Sequence, residues 1–173
     1  MDRRSATHNW PLDRRPTIGL FLDRIDEPLY QAGWLGLNDA VRQRGANPIF
    51  FLGAALRDKR GFAAQGNVLY DLVDAGRIDG LIVWSSGLDW YIQPQEIDEF
   101  CRRFHPLPLV SIGRALVGIP SVVVDNYQGM REAVTHLIVA HGYRHIACLR
   151  GAEGSDEEAL RFRAYTDVLA EHG

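Results

Sequence analysis

Several side chains in this sequence suit the recognition of a small polar molecule better than reaction with one. Trp84, Ser85, Ser86, Trp90 and Tyr91 place two indoles, a phenol and two hydroxyls in one short stretch. Such rings stack on the faces of sugars or nucleobases, while their N–H and O–H groups set the orientation. The same residues also suit a purely structural role, with Trp84 in a core and Trp90 and Tyr91 packing a loop. Asp23, Asp26 and Tyr30 offer acceptors and an aromatic edge, or else turn and helix-cap chemistry, with Asp26 read as a cap. Asp125, followed by Asn126, either accepts ligand hydroxyls or caps the helix that follows. Arg161 presents a fixed-charge fork to an anionic or hydroxyl-rich ligand, or is a solvated helix residue.

Reactive constellations are missing. The sequence holds no GxSxG elbow, no HExxH and no Gly-Lys-Ser/Thr phosphate loop. Its first strand ends in Asp23-Arg24-Ile25-Asp26-Glu27, an acidic turn without glycine, which would repel a pyrophosphate. A phospho-receiver reading fails because the third strand ends Trp84-Ser85-Ser86 and the one lysine, Lys59, lies in a loop. Cys101 and Cys148 are far apart and form no CxxC unit, so both are read as packing residues in a reducing compartment. His136, His141 and His145 cluster in sequence, yet Gly142 is expected to end a helix among them and His145 to open a strand. On that reading the three do not share one face. No catalytic residue, metal site or cofactor is expected, and the chain is not read as an enzyme.

The elements that must carry these groups follow a repeating pattern. Apolar runs of strand length occur at Thr17–Leu22, Pro48–Leu52, Gly80–Trp84, Leu109–Ile112, Ser121–Val124 and His145–Leu149. Helical periodicity predicts helices over Leu29–Arg44, Gln65–Ala75, Gln95–Phe104, Gly129–Ala140 and Glu157–Glu171, with Gly45, Gly76 and Gly142 at their ends. The strands are continuous apolar runs, as expected when helices cover both faces of a parallel sheet. Strand–helix alternation implies right-handed crossovers and an α/β, doubly wound, mostly parallel sheet. Ligands gather at the carboxyl ends of such strands, which is where Tyr30, Trp84, Ser85, Trp90, Tyr91 and Asp125 fall.

Composition adds bounds. With 46% apolar and 24% charged residues over 173 positions, the chain is an ordinary globular sequence. A net charge of −3 gives no reason to expect nucleic acid or an anionic membrane as partner. Residues 1–15 are polar, read as a flexible arm without the apolar stretch of a signal peptide. No apolar run approaches a membrane span of roughly 18 residues. A cytoplasmic location is expected.

Residues 122–151, VVVDNYQGMREAVTHLIVAHGYRHIACLRG, resemble the effector-sensing core of the lactose/galactose repressor family, a relative of periplasmic sugar-binding proteins. They are similar to its "V-D-N … A-x-x-H-L … G-H-R-x-I-A-x-[IL]-x-G" signature. Arg161-Phe-Arg-Ala-Tyr165 with Gly173 is similar to the "R-x-x-G-[FY]-x-x-A-L-x-x-x-G" helix. Pro16-Thr-Ile-Gly, Pro28-Leu-Tyr30, Asp79-Gly80-Leu-Ile and Pro108-Leu-Val match further family segments in order. Gly142-Tyr143 stands where Gly-His is usual, and Ala164 where glycine is usual.

The resemblance implies a type I periplasmic-binding-protein-like fold, with a small polar metabolite (sugar or nucleoside-like) in a cleft between two lobes. It places effector contacts on Tyr30, Asp125 and Arg161. Residues 16–125 would be the first lobe and residues 126–173 the incomplete beginning of the second. It implies a homodimer whose hinge motion reaches an output domain. A family helix-turn-helix finds no room in the 15-residue arm, so no direct DNA contact from this chain is expected. The chain is also similar to sensor modules at the N-terminus of bacterial signalling proteins, whose output is a histidine kinase or diguanylate cyclase. A non-sensing dimerisation module of the same fold is the alternative.

Overall fold

The computed structural model describes residues 14–151 and 156–173. The arm expected at residues 1–15 lies outside the described residues except for Arg14 and Arg15. The Arg14 guanidinium forks onto the Asp79 carboxylate at 2.8 and 2.7 Å, and that carboxylate also accepts the Thr17 N–H. The chain forms two compact units, divided between Val123 and Val124.

The first unit is built on β1 (Thr17–Leu22), β2 (Asn47–Leu52), β3 (Gly80–Trp84), β4 (Leu109–Ile112) and β5 (Ser121–Val122). They form one all-parallel sheet in the order β2-β1-β3-β4-β5. The chain steps from β1 outward to β2 through α1 (Pro28–Gln43), then crosses back to β3 and on to β4 through α4 (Pro94–Arg102). With right-handed crossovers, opposite directions of travel put these helices on opposite faces. The side chains agree. Phe21, Leu81 and Val83 point to one face, where Tyr70, Ile97, Phe100, Cys101 and Phe104 complete a buried cluster. On the other face α1 meets the sheet, with Trp34 edge-on to Phe50 and Tyr30 stacked on Trp84. The expected doubly wound α/β sheet is what forms.

Phe21 is the hub of the first face. Its ring is fully buried, with Tyr70, Phe104, Phe51 and Phe100 at centroid distances of 4.8, 5.0, 5.5 and 6.0 Å. Burying one such side chain contributes about 1.5–3 kcal/mol, and each well-placed ring pair about 0.5–1.5 kcal/mol more. Cys101 sits in this cluster, and burial pushes its thiol up to about 12, so it packs rather than reacts.

Local signals set most boundaries. Pro28 opens α1, and Gly45 follows it at φ 73, with the Gly45 N–H returning to the Arg42 carbonyl. At α4, Gln93 and Glu96 form a reciprocal capping box, with the Gln93 N–H donating to Glu96 at 2.8 Å.

The helix expected over Gln65–Ala75 is different in kind. A single turn, α2 (Ala63–Gly66), runs into a 3₁₀ helix, Asn67–Leu72, and Gly76 does not take the left-handed conformation of a cap. The cause is Tyr70, drawn under the sheet edge so that its hydroxyl donates to the carbonyls of Leu22 and Ala54 at 2.9 and 3.1 Å. Tighter winding lets that ring reach Phe21 while Val68 and Leu72 stay exposed. The fifth strand also shortens, from the expected Ser121–Val124 to two residues, because β4 offers it only Ser111 and Ile112 as partners.

In the second unit, α5 (Asn126–Val139) packs against α6 (Asp156–His172) through Val134, Ala164 and Val168. Tyr127 donates to Asp167 at 2.7 Å, and Arg131 forks onto Glu171 at 2.8 and 2.7 Å. The strand expected at His145–Leu149 does not form: residues 142–151 carry no regular secondary structure. An apolar run becomes a strand only beside a neighbour, and the second unit has none among the described residues. Cys148, expected inside that strand, is half-buried and Leu149 is 99% exposed. Among the described residues no helix is long and apolar enough to cross a membrane.

Candidate functional site

The strand order changes direction between β1 and β3, the switch point at whose carboxyl ends ligands of such sheets gather. Tyr30, on the first turn of α1, stacks on Trp84, the last residue of β3, at 5.0 Å between centroids and 29° between planes. Gly33, one helical turn beyond Tyr30, lets the indole lie flat on α1, because a Cβ there would sit 2.2 Å from Trp84 Cη2.

Asp23 follows β1 into the same place. Its Oδ2 pairs with Arg24 at 2.7 Å, while Oδ1 is buried with no hydrogen-bond partner. Burial raises the Asp23 carboxyl above its ordinary range, and the adjacent Arg24 only partly offsets this. Gly87 makes room for that oxygen, since a Cβ there would lie 2.2 Å from Asp23 Oδ1 and 3.2 Å from the Tyr30 hydroxyl. Burial and the Asp23 charge push the Tyr30 phenol up to about 12, so it stays a neutral donor.

Arg24 ties the cluster outward. Its guanidinium lies over Tyr30 at 5.5 Å and over Trp90 at 5.8 Å, and it also pairs with Glu27 at 2.6 Å. Glu27, not Asp26, stands at the cap position of α1, and it makes no side-chain cap bond. Trp90 and Tyr91 are 56% and 47% exposed. Tyr91 faces a different cation, Arg60, at 5.2 Å; Arg60 is held by Asp58 at 2.8 Å. That ion pair keeps the Asp58 carboxyl down at about 2.

Ser85 differs from its neighbours. It begins α3 (Ser85–Leu88), a single turn that points its side chain inward. The hydroxyl is 0% exposed, bonded to Ser111 Oγ at 2.7 Å and to the Ile112 carbonyl at 2.9 Å. It joins β3 to β4 from below, and Ser86 keeps partial access.

The other two sequence candidates belong to the second unit. Asp125 caps α5, its Oδ1 accepting the Gln128 N–H at 3.0 Å, which begins that helix at Asn126 rather than at Gly129. Arg161 reaches across from α6 to Asn126 Oδ1 at 2.5 Å, with Glu157 at 3.7 Å. The fork thus stands beside the residue that follows Asp125, at the N-terminal end of α5.

The sequence did not single out Arg24, Gly33 or Gly87. The two glycines carry a readable signal, one on a helix face and one just after a strand, but what each makes room for appears only in the fold. Of the three neighbouring histidines, expected not to share one face, His136 and His141 meet, with Nε2 atoms 3.1 Å apart. His145 stays exposed and no strand begins at it. Among the described residues no three His, Cys, Asp or Glu side chains form a group suited to a metal ion.

The chain is an all-parallel doubly wound sheet with aromatic and acidic groups at its switch point, an architecture that the periplasmic-binding-protein-like domains share. The family described as periplasmic binding proteins and sugar binding domain of LacI family matches residues 15–173, and the chain belongs to it. It is 24% identical over 104 residues to the HTH-type transcriptional regulator DegA of Bacillus subtilis, covering 60% of this chain and 30% of DegA. The Escherichia coli transcriptional repressor ascG is 25% identical, with a TM-score of 0.65 over 91% of this chain and 55% of its own. The Cra transcriptional dual regulator of Pseudomonas putida, in complex with fructose 1-phosphate, shares the fold with a TM-score of 0.69 and 21% identity over 91% of this chain and 54% of its own. The chain thus spans about half the length, or less, of these relatives.

Proposed function

We propose that this chain is the small-molecule-sensing part of a bacterial transcriptional regulator or signalling protein. Its ligand, a small polar metabolite such as a sugar or nucleoside, binds between a first lobe of residues 16–125 and a second lobe that begins at residue 126. Lobe closure on a shared hinge then passes the signal to an output domain or a dimer partner. The observation that carries this reading is the Tyr30–Trp84 stack at the switch point, with Trp90 and Tyr91 exposed nearby. Asp125, at the end of the first lobe, supplies acceptors, Arg161 supplies a fixed charge from the second, and Ser85 holds the Trp84 strand end in place. The fructose 1-phosphate held by the Pseudomonas regulator supports a sugar-like ligand. On this reading the chain works in the cytoplasm and recognises its ligand without transforming it.

Ligand binding is tested by thermal melting of the chain, alone and with a completed second lobe, against sugars, sugar phosphates, nucleosides and amino acids. A ligand at 100 times its dissociation constant stabilises by about 2.7 kcal/mol, several degrees for a domain of this size. The expected result is one chemical class that raises the melting temperature, lost in Tyr30→Ala and in Arg161→Ala. A flat response across the panel from the completed protein removes the sensing reading.

A second reading is a dimerisation module without a ligand. It is favoured by β2, an edge strand with exposed Ile49 and Leu52, beside which Phe62, Val68 and Leu72 are also exposed. A second copy of the chain is the proposed occupant of that edge, whichever reading holds. A chain that sediments as a monomer at all workable concentrations sinks the dimer.

A further inference from the structure

Residues five apart on a straight α-helix point about 140° away from each other. Spacing alone therefore keeps His136 and His141 apart; the end of α5 brings them together. The helix closes with the Ala140 N–H donating to the His136 carbonyl at 2.9 Å, the Gly142 N–H to Ile138 at 3.0 Å and the Tyr143 N–H to Leu137 at 3.2 Å. Gly142 takes φ 68 to make that turn. His141 is folded back over the last helical turn, so that its ring stands edge-on to His136 at 4.9 Å and 82°. Tyr143 then stacks on His141 at 5.6 Å and 16°, which fixes the orientation of the imidazole.

We propose that His136 and His141 form a two-histidine site for a borderline divalent transition-metal ion such as Zn2+, bound through both Nε2 atoms with water completing the coordination. Two nitrogens each 2.0–2.1 Å from a zinc ion lie roughly 3.3 Å apart in tetrahedral geometry and about 2.9 Å apart at a right angle. The observed separation of 3.1 Å falls between these values. Both imidazoles are exposed, so an ion reaches them without opening the fold. Each Nε2 has the other ring as its partner, a contact that an ion bound between them would replace.

The surroundings suit a cation. His136 lines a shallow concavity on α5 together with Glu132, one helical turn away, and Thr135. Arg131, which lines the same concavity, is forked onto Glu171, and Glu132 accepts a hydrogen bond from Gln128 at 2.8 Å. With two protein ligands and no third among the described residues, the site would be exchangeable, unlike a closed structural zinc site. The inference stands independently of the sensing reading, because none of the proposed ligand contacts takes part.

The test is histidine-ring NMR of the isotopically labelled chain during titration with Zn2+ as its chloride. Of the six histidines, the rings of His136 and His141 are expected to shift together and saturate at one equivalent. Substituting His136→Ala or His141→Ala weakens binding by about tenfold or more, since even the outer-shell partners of a metal ligand act on that scale. His105→Ala leaves it unchanged. Both rings are exposed, so the backbone spectrum reports whether each variant is folded, and His136→Gln and His141→Asn serve as conservative replacements. Rings that titrate separately, zinc that goes to Cys148 or another histidine, or affinity that survives both substitutions overturns the proposal.

Discussion

A methyl group on Gly33 would sit 2.2 Å from Trp84 Cη2, inside the space the indole occupies. The flat approach of α1 to the end of β3 therefore depends on the missing side chain, and the Tyr30–Trp84 stack depends on that approach. Gly33→Ala is expected to push the indole aside, at a cost of about 1–3 kcal/mol for overpacking. Urea unfolding measures the loss, and near-ultraviolet circular dichroism reports the displaced ring. An unchanged midpoint with an unchanged spectrum would mean that α1 shifts freely.

Tyr70→Phe deletes the one donor shared by the Leu22 and Ala54 carbonyls while keeping the ring against Phe21. The Leu22 carbonyl keeps the Gly53 N–H, so the loss falls mainly on the Ala54 carbonyl and costs about 1 kcal/mol. Stability should fall with no change in the slope against denaturant. A neutral result would show that other contacts draw Tyr70 under the sheet.

Ser85→Ala separates support from contact. The hydroxyl bonds Ser111 and Ile112, and Ser111 also donates to the Arg114 carbonyl at 2.7 Å. Its loss should destabilise by about 1 kcal/mol, the net worth of a buried hydrogen bond. In the ligand panel Ser85→Ala should alter the melting temperature of the free protein but not which ligands raise it. A switch in ligand preference would place Ser85 against the ligand.

The two aspartates near the site act on stability in opposite directions with pH. Asp58 drops from 3.8 to about 2 in the folded chain because Arg60 bonds its carboxylate. The unfolded state then binds more protons, so this contribution is complete above pH 3.8 and is lost as pH falls toward 2. Asp23 is raised above 3.8 by burial, so the folded state holds its proton more tightly, and stability declines as pH rises through that higher window. Asp58→Asn should flatten the acid limb of the stability profile, and Asp23→Asn the fall that begins above pH 3.8. Unfolding midpoints at closely spaced pH values decide both, and reversed slopes would contradict the assignments.

Much of the first unit was legible in the amino-acid order alone. Thr17–Leu22, Gly80–Trp84 and Leu109–Ile112 read as strands and are strands with those bounds, because a parallel strand buried on both faces is a continuous apolar run. The family was legible too, in the ordered segments from Pro16 to Tyr165. What needed the tertiary structure was every feature that depends on a partner from elsewhere in the chain. His145–Leu149 has a strand's composition but no neighbour to bond, and Ser121–Val124 pairs only as far as β4 extends. Residues 65–75 have helical periodicity, yet Tyr70 follows the carbonyls of Leu22 and Ala54 and winds the segment tighter.

The site divides in the same way. Residue types named Tyr30 and Trp84 as candidates while leaving packing open; their stacking required α1 and β3 to meet over Gly33. Ser85 and Ser86 are alike in sequence, and only the single helical turn at the end of β3 decides that one hydroxyl joins the strands and the other keeps access. His136 and His141 meet at the closing turn of α5, five residues apart, a contact that helical periodicity does not describe. Periodicity reports which face of an element is apolar, a local property of the chain. Which groups touch is set by where distant segments come to rest, and that is decided by packing.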